Sequence, residues 1–358
     1  MKIKKLIAFL LLCTIVSAGI VIILYAFSED IAHRNNGFIR RYPQHPVTHL
    51  YDVNIGFNSY YIAGFYKNHM YLGNTTAPLW IIDFNLITQD TFHKKIKIIK
   101  PHTTITNNLK LTTKDSLFYM LDGTIPTMYR GNIKNWRTKQ VKNIPAYFSL
   151  AQPGDNNQLL IRTISTDKNE NEIGRIMLSD SNSLQLNPTL IQKQVDGIFG
   201  SDGMLLYNHW LHRLLYIYFY RNEFIVIKNN LELDYRGKTI DTVRLAKIKV
   251  VDIPSHSTRK LAGNPLLINR QAATAGNYLF INSNRLGKYE PKEMLKEASI
   301  IDIYNIPGKT YEFSFYLYDN QQDKLRNFQV YQEKLYALMG HYLVCYSLKA
   351  ENFNELLK

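Results

Sequence analysis

A short strand-forming segment recurs six times along the chain, each copy a polar start followed by apolar residues rich in leucine and tyrosine. The copies are NHMYL (68–72), DSLFY (115–119), NQLLI (157–161), HRLLY (212–216), NYLFI (277–281) and EKLYA (333–337). Their starts are 47, 42, 55, 65 and 56 residues apart. Blades of a β-propeller repeat at ~40 to 50 residues, and loop insertions lengthen some of them. The repeat therefore predicts an all-β propeller.

Each copy has a further apolar run before it and another after it, broken by Asn, Gly, Asp or Pro. Every unit is thus predicted to contain at least three antiparallel strands, with the copy as the second. Fourth, outer strands are predicted at residues 96–99, 247–253 and 311–318. A short helix is predicted at residues 289–298, as an insertion between the second and third strands of the fifth unit.

The ends of the repeat region complement each other. The sixth unit has only residues 349–358 after its third strand, too few for a complete outer strand and the turn before it. Residues 48–53 precede the first unit and are predicted to supply the missing strand. Such closure removes exposed sheet edges and ties the ends of the domain together. The predicted fold is a six-bladed β-propeller, with seven blades or two stacked β domains as alternatives.

An unbroken apolar run of 22 residues, 6–27, lies near the N-terminus. A helix of ~20 apolar residues spans a bilayer. Three lysines precede the run, whereas Glu29 and Asp30 follow it, which places the N-terminus in the cytoplasm. We therefore predict a single-pass protein of the bacterial inner membrane whose C-terminal domain lies in the periplasm. A cleaved signal peptide is the alternative, with small residues at 16–18, although the apolar run continues well beyond them.

These features divide the chain into five parts. The predicted boundaries are a cytoplasmic stub (1–5), a transmembrane anchor (6–27), a linker (28–46), the β-propeller (47–349) and a C-terminal tail (350–358). The formal net charge is +14. Export argues against nucleic acid as the partner of this charge and favours anionic lipid headgroups or acidic glycans. Cys13 lies in the apolar run, so it cannot form a structural disulfide with Cys345.

Candidate functional residues are expected on one face of the propeller. Loops from an outer strand to the next blade share this face with loops between second and third strands, and loops carry function more often than the scaffold does. The predicted ligand-binding residues are Asn74, Asp122, Asp196, Asp202, Arg221, Asn284 and Arg285.

The three aspartates of this set each precede a glycine, and two interpretations remain open. A ring of carboxylates at the channel mouth can bind a hard cation such as calcium, with the asparagines adding carbonyl ligands. Alternatively, each aspartate accepts hydrogen bonds from turn amides and the glycine takes a positive φ. The arginines either bind a carboxylate or sugar acid, or pair with nearby aspartates and lock loops together. No cofactor is predicted, with calcium as the only candidate.

Several catalytic motifs are missing from the sequence. It contains no glycine-rich phosphate loop, no Gly-x-Ser-x-Gly, no paired cysteines and no His-Glu-x-x-His. Their absence favours a protein that is not an enzyme.

Several stretches carry a resemblance to known sequences. They are YYIAG (60–64), YLGN (71–74) with Pro78, DGIF (196–199), DGM (202–204), YFYRN (218–222) and TIDT (239–242). The chain resembles a family of uncharacterised bacterial proteins with an N-terminal membrane anchor and an exported propeller-like domain. The resemblance spans nearly the whole chain and implies no catalytic residue. A more general similarity to six-bladed propellers of the NHL and lactonase-like type implies that both binding and hydrolysis suit this scaffold.

Together these observations predict a membrane-anchored periplasmic β-propeller that acts as an interaction module. Its expected partner is an envelope protein, a peptide or a glycan, besides the membrane itself, and not nucleic acid. The alternative is a calcium-dependent, lactonase-like hydrolase in the propeller channel. A purely structural role is the third hypothesis.

Overall fold

The computed structural model of the chain describes residues 2–27, 36–99, 106–141, 144–179, 182–253 and 258–354. Within these ranges the chain forms helix α1 (Lys2–Phe27), helix α2 (Met294–Glu297) and 27 strands. Nearly all of the structure after α1 is therefore β.

The strands form six blades and one separate hairpin, and the four main strands of each blade pair antiparallel, in chain order in blades 1 to 5. Strand β1 (Val47–Asn54) precedes blade 1, which contains β2 (Tyr60–Tyr66), β3 (His69–Asn74), β4 (Trp80–Asn85) and β5 (Thr91–Lys95). Blade 2 contains β7 (Lys110–Lys114), β8 (Leu117–Asp122), β9 (Thr127–Asn132) and β10 (Arg137–Val141), with β6 (Lys97–Ile98) added parallel to β10. Blade 3 contains β11 (Leu150–Pro153), β12 (Gln158–Ile164), β13 (Asn171–Met177) and β14 (Ser183–Asn187).

The remaining blades follow the same order. Blade 4 contains β15 (Gly203–Asn208), β16 (Arg213–Tyr218), β17 (Glu223–Lys228) and β18 (Leu233–Lys238). The hairpin of β19 (Val250–Ile253) and β20 (Thr258–Leu261) comes next. Blade 5 contains β21 (Asn269–Ala275), β22 (Tyr278–Ser283), β23 (Ala298–Asn305) and β24 (Thr310–Tyr318), with α2 between β22 and β23. Blade 6 contains β25 (Leu325–Tyr331), β26 (Lys334–Met339), β27 (Tyr342–Leu348) and β1.

The second strands are buried on both faces because each lies between two neighbouring blades. In β16, for example, every residue after Arg213 is buried. Strands covered on both faces read as continuous apolar runs instead of alternating ones. This burial explains why the second strands form the visible sequence repeat.

The ring is closed by the strand before the first blade. Strand β1 pairs antiparallel with β27, from Val47 opposite Leu348 to Asn54 opposite Tyr342. The first strand of each blade also contacts the first strand of the next blade, all the way round. The predicted closure by residues 48–53 is confirmed.

The apolar core is divided among the six interfaces between blades. Six buried clusters are present, and each takes its side chains mainly from two adjacent blades. Between blades 6 and 1, for instance, Leu338 and Leu343 pack with Ile62 and Leu72. One cluster per interface around a closed ring confirms the six-bladed β-propeller.

Two of the three predicted outer strands are wrong. Residues 96–99 do not end blade 1; β5 does, whereas β6 joins blade 2. Residues 247–253 do not end blade 4; β18 does, whereas β19 pairs with β20. The outer strands β5 and β18 lie at the rim and are largely exposed. Solvent contact removes the need for apolar residues, so the search for apolar runs missed them. The prediction for residues 311–318 is confirmed by β24.

Residues 36–46, which we call the strap, pack against blade 5 before β1 begins. Asn36 Nδ2 donates to Leu286 O at 2.6 Å, Phe38 is buried, and Ser314 N donates to Arg41 O at 2.8 Å. The strap is the second part of the predicted linker, whose residues 28–35 lie outside the described residues. So do residue 1 of the predicted stub and residues 355–358 of the predicted tail. Phe353 of the tail packs in the core between blades 5 and 6.

Arg40 fastens the strap to the propeller. Its side chain is fully buried, with Nε 2.6 Å from Asp302 Oδ1, Nη1 2.8 Å from Glu290 Oε2 and Nη2 2.8 Å from Ser283 Oγ. Burial opposes the charge of Arg40, but the two carboxylates outweigh it and hold the pKa of Arg40 above its usual value. The strap is therefore held by a buried charge network.

Helix α1 contains a stretch of 22 residues, Ile3–Leu24, that is long and apolar enough to cross a membrane. Its length and composition suit a membrane anchor or a signal sequence.

Candidate functional site

The seven predicted ligand-binding residues lie in loops or at strand ends on one side of the propeller, which we call the loop face. Asn74 and Asp122 end second strands, and Arg221, Asn284 and Arg285 follow second strands. Asp196 and Asp202 lie between β14 and β15. The set is spread from blade 1 to blade 5.

Two of the aspartates cap their own turns. Asp122 Oδ1 accepts from Thr124 N at 2.8 Å, and Asp196 Oδ1 accepts from Ile198 N at 2.7 Å and from Phe199 N at 2.6 Å. Burial opposes the ionisation of Asp122, but hydrogen bonds from Thr106, Thr124 and Ile125 outweigh it and lower its pKa. Such capping is the turn chemistry expected for Asp-Gly pairs.

The glycines after the three aspartates are required for a different reason from the one expected. None of them has a positive φ. Instead, a Cβ on Gly123 would lie 1.7 Å from Phe148 O, and one on Gly203 would lie 2.3 Å from Ile217 O. Close backbone approach, not turn type, explains Gly123 and Gly203, whereas a Cβ on Gly197 would meet the Glu170 side chain, with Cγ at 2.4 Å.

Asp202 binds the guanidinium of Arg162, which belongs to the neighbouring blade 3. Arg162 also donates to Tyr216 Oη at 3.0 Å and to Ser149 Oγ at 2.8 Å. Burial opposes the charge of Arg162, but Tyr216 and Asp202 outweigh it and raise its pKa. The Asp202 carboxylate therefore joins blades 3 and 4.

Arg221 and Arg285 both hold loops together. Arg221 is fully buried, with its guanidinium 3.5 Å from the Tyr218 ring centre, and Nη1 donates to Gln192 O at 3.0 Å. Arg285 Nε lies 2.8 Å from Asp241 Oδ2. Desolvated pairs of this kind fix the loops from which they come.

The two asparagines differ in exposure. Asn74 is buried and its Oδ1 accepts from Thr76 N at 2.9 Å, whereas Asn284 is exposed. In the part of the chain that the structure describes, no group of three or more His, Cys, Asp or Glu residues is placed to hold a metal ion. Ligand binding by these seven residues stays a prediction.

A groove of about 630 Å³ lies at the side of the propeller, between the outer strands of blades 5 and 6. We call it the aromatic groove. Its aromatic lining comes from Tyr42, Phe315, Tyr316, Tyr318 and Tyr346. Tyr42 stacks on Tyr316 with ring centres 4.6 Å apart, and Tyr318 is 60% exposed. The groove therefore offers a tyrosine surface to solvent.

Polar groups are gathered where the groove meets the loop after β24. His49 Nε2 lies 2.6 Å from Asp52 Oδ1, and Asn320 Nδ2 donates to Asp52 Oδ2 at 3.2 Å. Asp319 Oδ1 is buried and has no hydrogen-bond partner among the described residues. Burial raises the pKa of Asp319 above its usual value. A ligand that donates a hydrogen bond would satisfy this oxygen.

The aromatic groove was not predictable as a continuous sequence motif, because its walls are distant in the chain. The strap residues 42–46 meet a strand some 270 residues later, as the hydrogen bond from Arg41 to Tyr311 illustrates. The one local signal was the pair Pro43 and Pro46 just before the closing strand β1. Proline has no N–H to donate to a sheet, so these residues indicate a segment that packs across the sheet edge without joining it.

The face opposite the loop face holds a compact charge cluster around Asp155. Its carboxylate accepts from Lys114 Nζ at 2.8 Å and from Tyr207 Oη at 2.6 Å, and it also binds His212. Burial opposes ionisation of Asp155, but these hydrogen bonds outweigh it and hold its pKa well below the usual range. The cluster joins blades 2, 3 and 4.

Replacing Asp155 with asparagine is expected to lower the free energy of unfolding by about 1–2 kcal/mol at pH 7. Because the folded pKa is depressed, this contribution is complete above the unfolded pKa of about 3.9 and is lost as the pH falls through the folded pKa. Denaturant unfolding of both proteins at pH 7 and pH 3 measures it. A gap between them that stays constant down to pH 3 would contradict the assignment.

Neither a protein-family model nor a curated protein matches the chain. Solved structures do resemble it. One is a member of the DUF4221 family from Bacteroides vulgatus, with a TM-score of 0.54, 12% identity and coverage of 86% of this chain and 99% of that one. Another is a catalytically inactive virginiamycin B lyase from Staphylococcus aureus with quinupristin, with a TM-score of 0.48, 11% identity and coverage of 85% and 100%. At such identity, the likeness to the DUF4221 protein supports the propeller fold alone.

Proposed function

We propose that the chain is a membrane-anchored periplasmic interaction module whose aromatic groove binds an extended, basic segment of another envelope protein. The observation that carries the proposal is the combination of a tyrosine-lined groove with the buried, unsatisfied Oδ1 of Asp319 at its polar end.

The aromatic lining suits a peptide segment. Tyrosine contributes a large contact area with few rotatable bonds, which makes it common among the residues that dominate binding energy. The stacked Tyr42 and Tyr316 rings form a fixed platform, and exposed Tyr318 lies beside it in the same groove. A groove between two outer strands is open along its length, so an extended chain fits it better than a compact ligand.

The charge of the groove points to a basic residue in that segment. The whole chain has a net charge of +14, yet the polar end of the groove carries Asp52 and Asp319. A lysine or arginine of the partner would give Asp319 Oδ1 a charge-assisted hydrogen bond, which is about twice as strong as a neutral one.

The N-terminal sequence supports this location for the module. Helix α1 has an apolar stretch long enough to span a bilayer, and lysines precede the apolar run 6–27 while acidic residues follow it. This arrangement supports an anchor with the propeller on the periplasmic side.

Site-specific photo-crosslinking in native membranes tests the proposal. A photo-reactive residue in place of Tyr318 is expected to capture an envelope protein through a segment that contains lysine or arginine. Adding Asp319→Asn is expected to reduce the capture by roughly tenfold, because asparagine keeps an acceptor oxygen but loses the charge, and a neutral hydrogen bond has about half the strength of a charge-assisted one of about 1.5–3 kcal/mol.

Tyr147 provides the matched control, since it is exposed and does not line the groove. A photo-reactive residue at Tyr147 should not capture the same protein. The proposed ligand would be contradicted by capture of a glycan or by equal capture from both positions. Capture that Asp319→Asn does not reduce would contradict it as well.

A further inference from the structure

The chain enters the propeller at a fixed point on the loop face. Asn36, the first described residue after α1, is buried and hydrogen-bonds both Leu286 O and the Arg285 guanidinium. Two residues later, Phe38 O accepts from Lys288 N at 2.9 Å, and Arg40 follows with its buried ion pairs. The entry point therefore lies beside the loops of blades 4 and 5.

Eight residues, 28–35, connect the end of α1 to Asn36. A fully extended chain spans at most ~3.3–3.6 Å per residue, so this connection reaches roughly 30 Å. With α1 in a bilayer, the loop face around Asn36 cannot be far from the membrane surface.

The loops around the entry point form a continuous surface. A Cβ on Gly37 would lie 3.8 Å from Thr242 Cγ2, which places the strap beside the loop after β18. Gln194 Nε2 donates to Arg244 O at 2.9 Å and its Oε1 accepts from Ala246 N at 2.9 Å, which joins that loop to the one before β15.

Large apolar side chains project from this surface to solvent. Ile39 of the strap is 58% exposed, Leu245 is 67% exposed and Val195 is 55% exposed. They come from three segments that are distant in the chain but joined by the contacts above. Exposed apolar groups that share a surface in this way mark an interaction site.

Basic residues accompany these apolar side chains, three of them in the loop after β18 and one, Lys288, hydrogen-bonded to the strap through its backbone. Arg244, Lys247, Lys249 and Lys288 are all exposed. Three nearby carboxylates are already paired, since Asp241 binds Arg285, Glu290 binds Arg40 and Glu170 binds Lys193. Apolar tips among basic residues are the chemistry that binds anionic bilayers.

We propose that this surface rests on the anionic lipid headgroups of the bilayer that holds α1. We call it the basal patch and define it as Ile39, Val195, Arg244, Leu245, Lys247, Lys249 and Lys288. The inference rests on the anchor in the proposed function. It orients the propeller, with the opposite face and the Asp155 cluster turned away from the membrane.

The test uses the full chain in vesicles of phosphatidylethanolamine and phosphatidylglycerol, with Cys13→Ser to leave one accessible thiol. A fluorophore on Leu245→Cys is expected to lose at least about half of its fluorescence when the lipid headgroups carry a nitroxide quencher. A fluorophore on Trp210→Cys, which is exposed in a turn on the opposite face, is expected to keep its fluorescence.

A charge variant tests the role of the basic residues. Replacing Arg244, Lys247 and Lys249 with glutamate is expected to abolish most of the quenching at Leu245. The matched control replaces three exposed lysines of the opposite face with glutamate and is expected to retain the quenching. These control lysines are Lys67, Lys134 and Lys309.

The outcomes separate the two proposals. One outcome is that the chain floats with the vesicles and the labels at positions 245 and 210 are quenched equally, or neither is quenched. This result would overturn the basal patch and leave the anchor intact. Chain that fails to float would overturn the anchored function and the basal patch together. If the photo-reactive residue at position 318 captures no envelope protein while the label at position 245 is quenched as expected, only the proposed ligand of the groove would be overturned.

Discussion

Replacing Arg40 with alanine is expected to lower the free energy of unfolding by about 3–5 kcal/mol, because it leaves two buried carboxylates without their counter-charge. Asp302 and Glu290 have almost no exposed side-chain surface, at 3% and 7%. Ser283 Oγ would lose its donor from Arg40 as well. The strap would keep its uncharged contacts, among them those of Asn36 and Phe38 and the stacking of Tyr42 on Tyr316, but would lose its buried ion pairs.

Denaturant unfolding of the full chain measures this effect, and Arg41→Ala is the matched control. Arg41 is adjacent and has the same side chain, but it is exposed and its guanidinium donates to Tyr311 O. Its loss should cost less than about 1 kcal/mol. Equal destabilisation by the two variants would show that the buried ion pairs of Arg40 contribute no more to stability than the exposed side chain of Arg41. The strap would then be held mainly by its backbone.

The second strands could be predicted from the sequence because their environment leaves a local signal. Leu214 to Tyr218 of β16 have no exposed surface, so every position needs an apolar or aromatic residue. The closure by β1 was also predictable, since one end of the repeat region lacked a strand and the other had one to spare. Both predictions depend on strands with buried side chains, because burial selects apolar residues that are visible in the sequence.

The strap, by contrast, could not be predicted from its own residues. Residues 28–46 contain Asn-Asn-Gly, Arg-Arg and two prolines, which is the composition of a linker. Arg40 is buried only because Asp302 and Glu290 meet it from 262 and 250 positions away. Pairing at that separation leaves no local pattern. The aromatic groove escaped prediction for the same reason, because the strap forms one of its walls.

The loop face shows the same limit at the level of single side chains. An Asp-Gly pair is compatible with a carboxylate that caps its own turn and with one that faces a ligand, and the sequence is identical in the two cases. Asp122 and Asp196 cap their turns, and Asp202 binds Arg162. These contacts are reason to place the proposed partner site in the aromatic groove and the proposed membrane contact on the loop face.

Replacing Gly123 with alanine is expected to destabilise the propeller by about 3 kcal/mol, the upper end of ordinary overpacking. The new Cβ would lie 1.7 Å from Phe148 O and 2.7 Å from Phe148 C. These are backbone atoms, so no rotamer change can relieve the collision. The backbone shift would also strain the hydrogen bond from Phe148 N to Gly123 O, which is 3.2 Å long and joins the loops of blades 2 and 3.

Gly37→Ala is the matched control, because Gly37 has no positive φ and its new Cβ would meet only Thr242 Cγ2 at 3.8 Å. Thermal or denaturant unfolding of the two variants, each with and without EDTA, separates the two interpretations of the Asp-Gly pairs. If the pairs are structural, Gly123→Ala destabilises strongly, Gly37→Ala does not, and EDTA changes neither the variants nor the parent chain. A fall in stability of the parent chain on chelation would instead favour calcium on the loop face, because removal of a bound ion removes its share of the folding free energy.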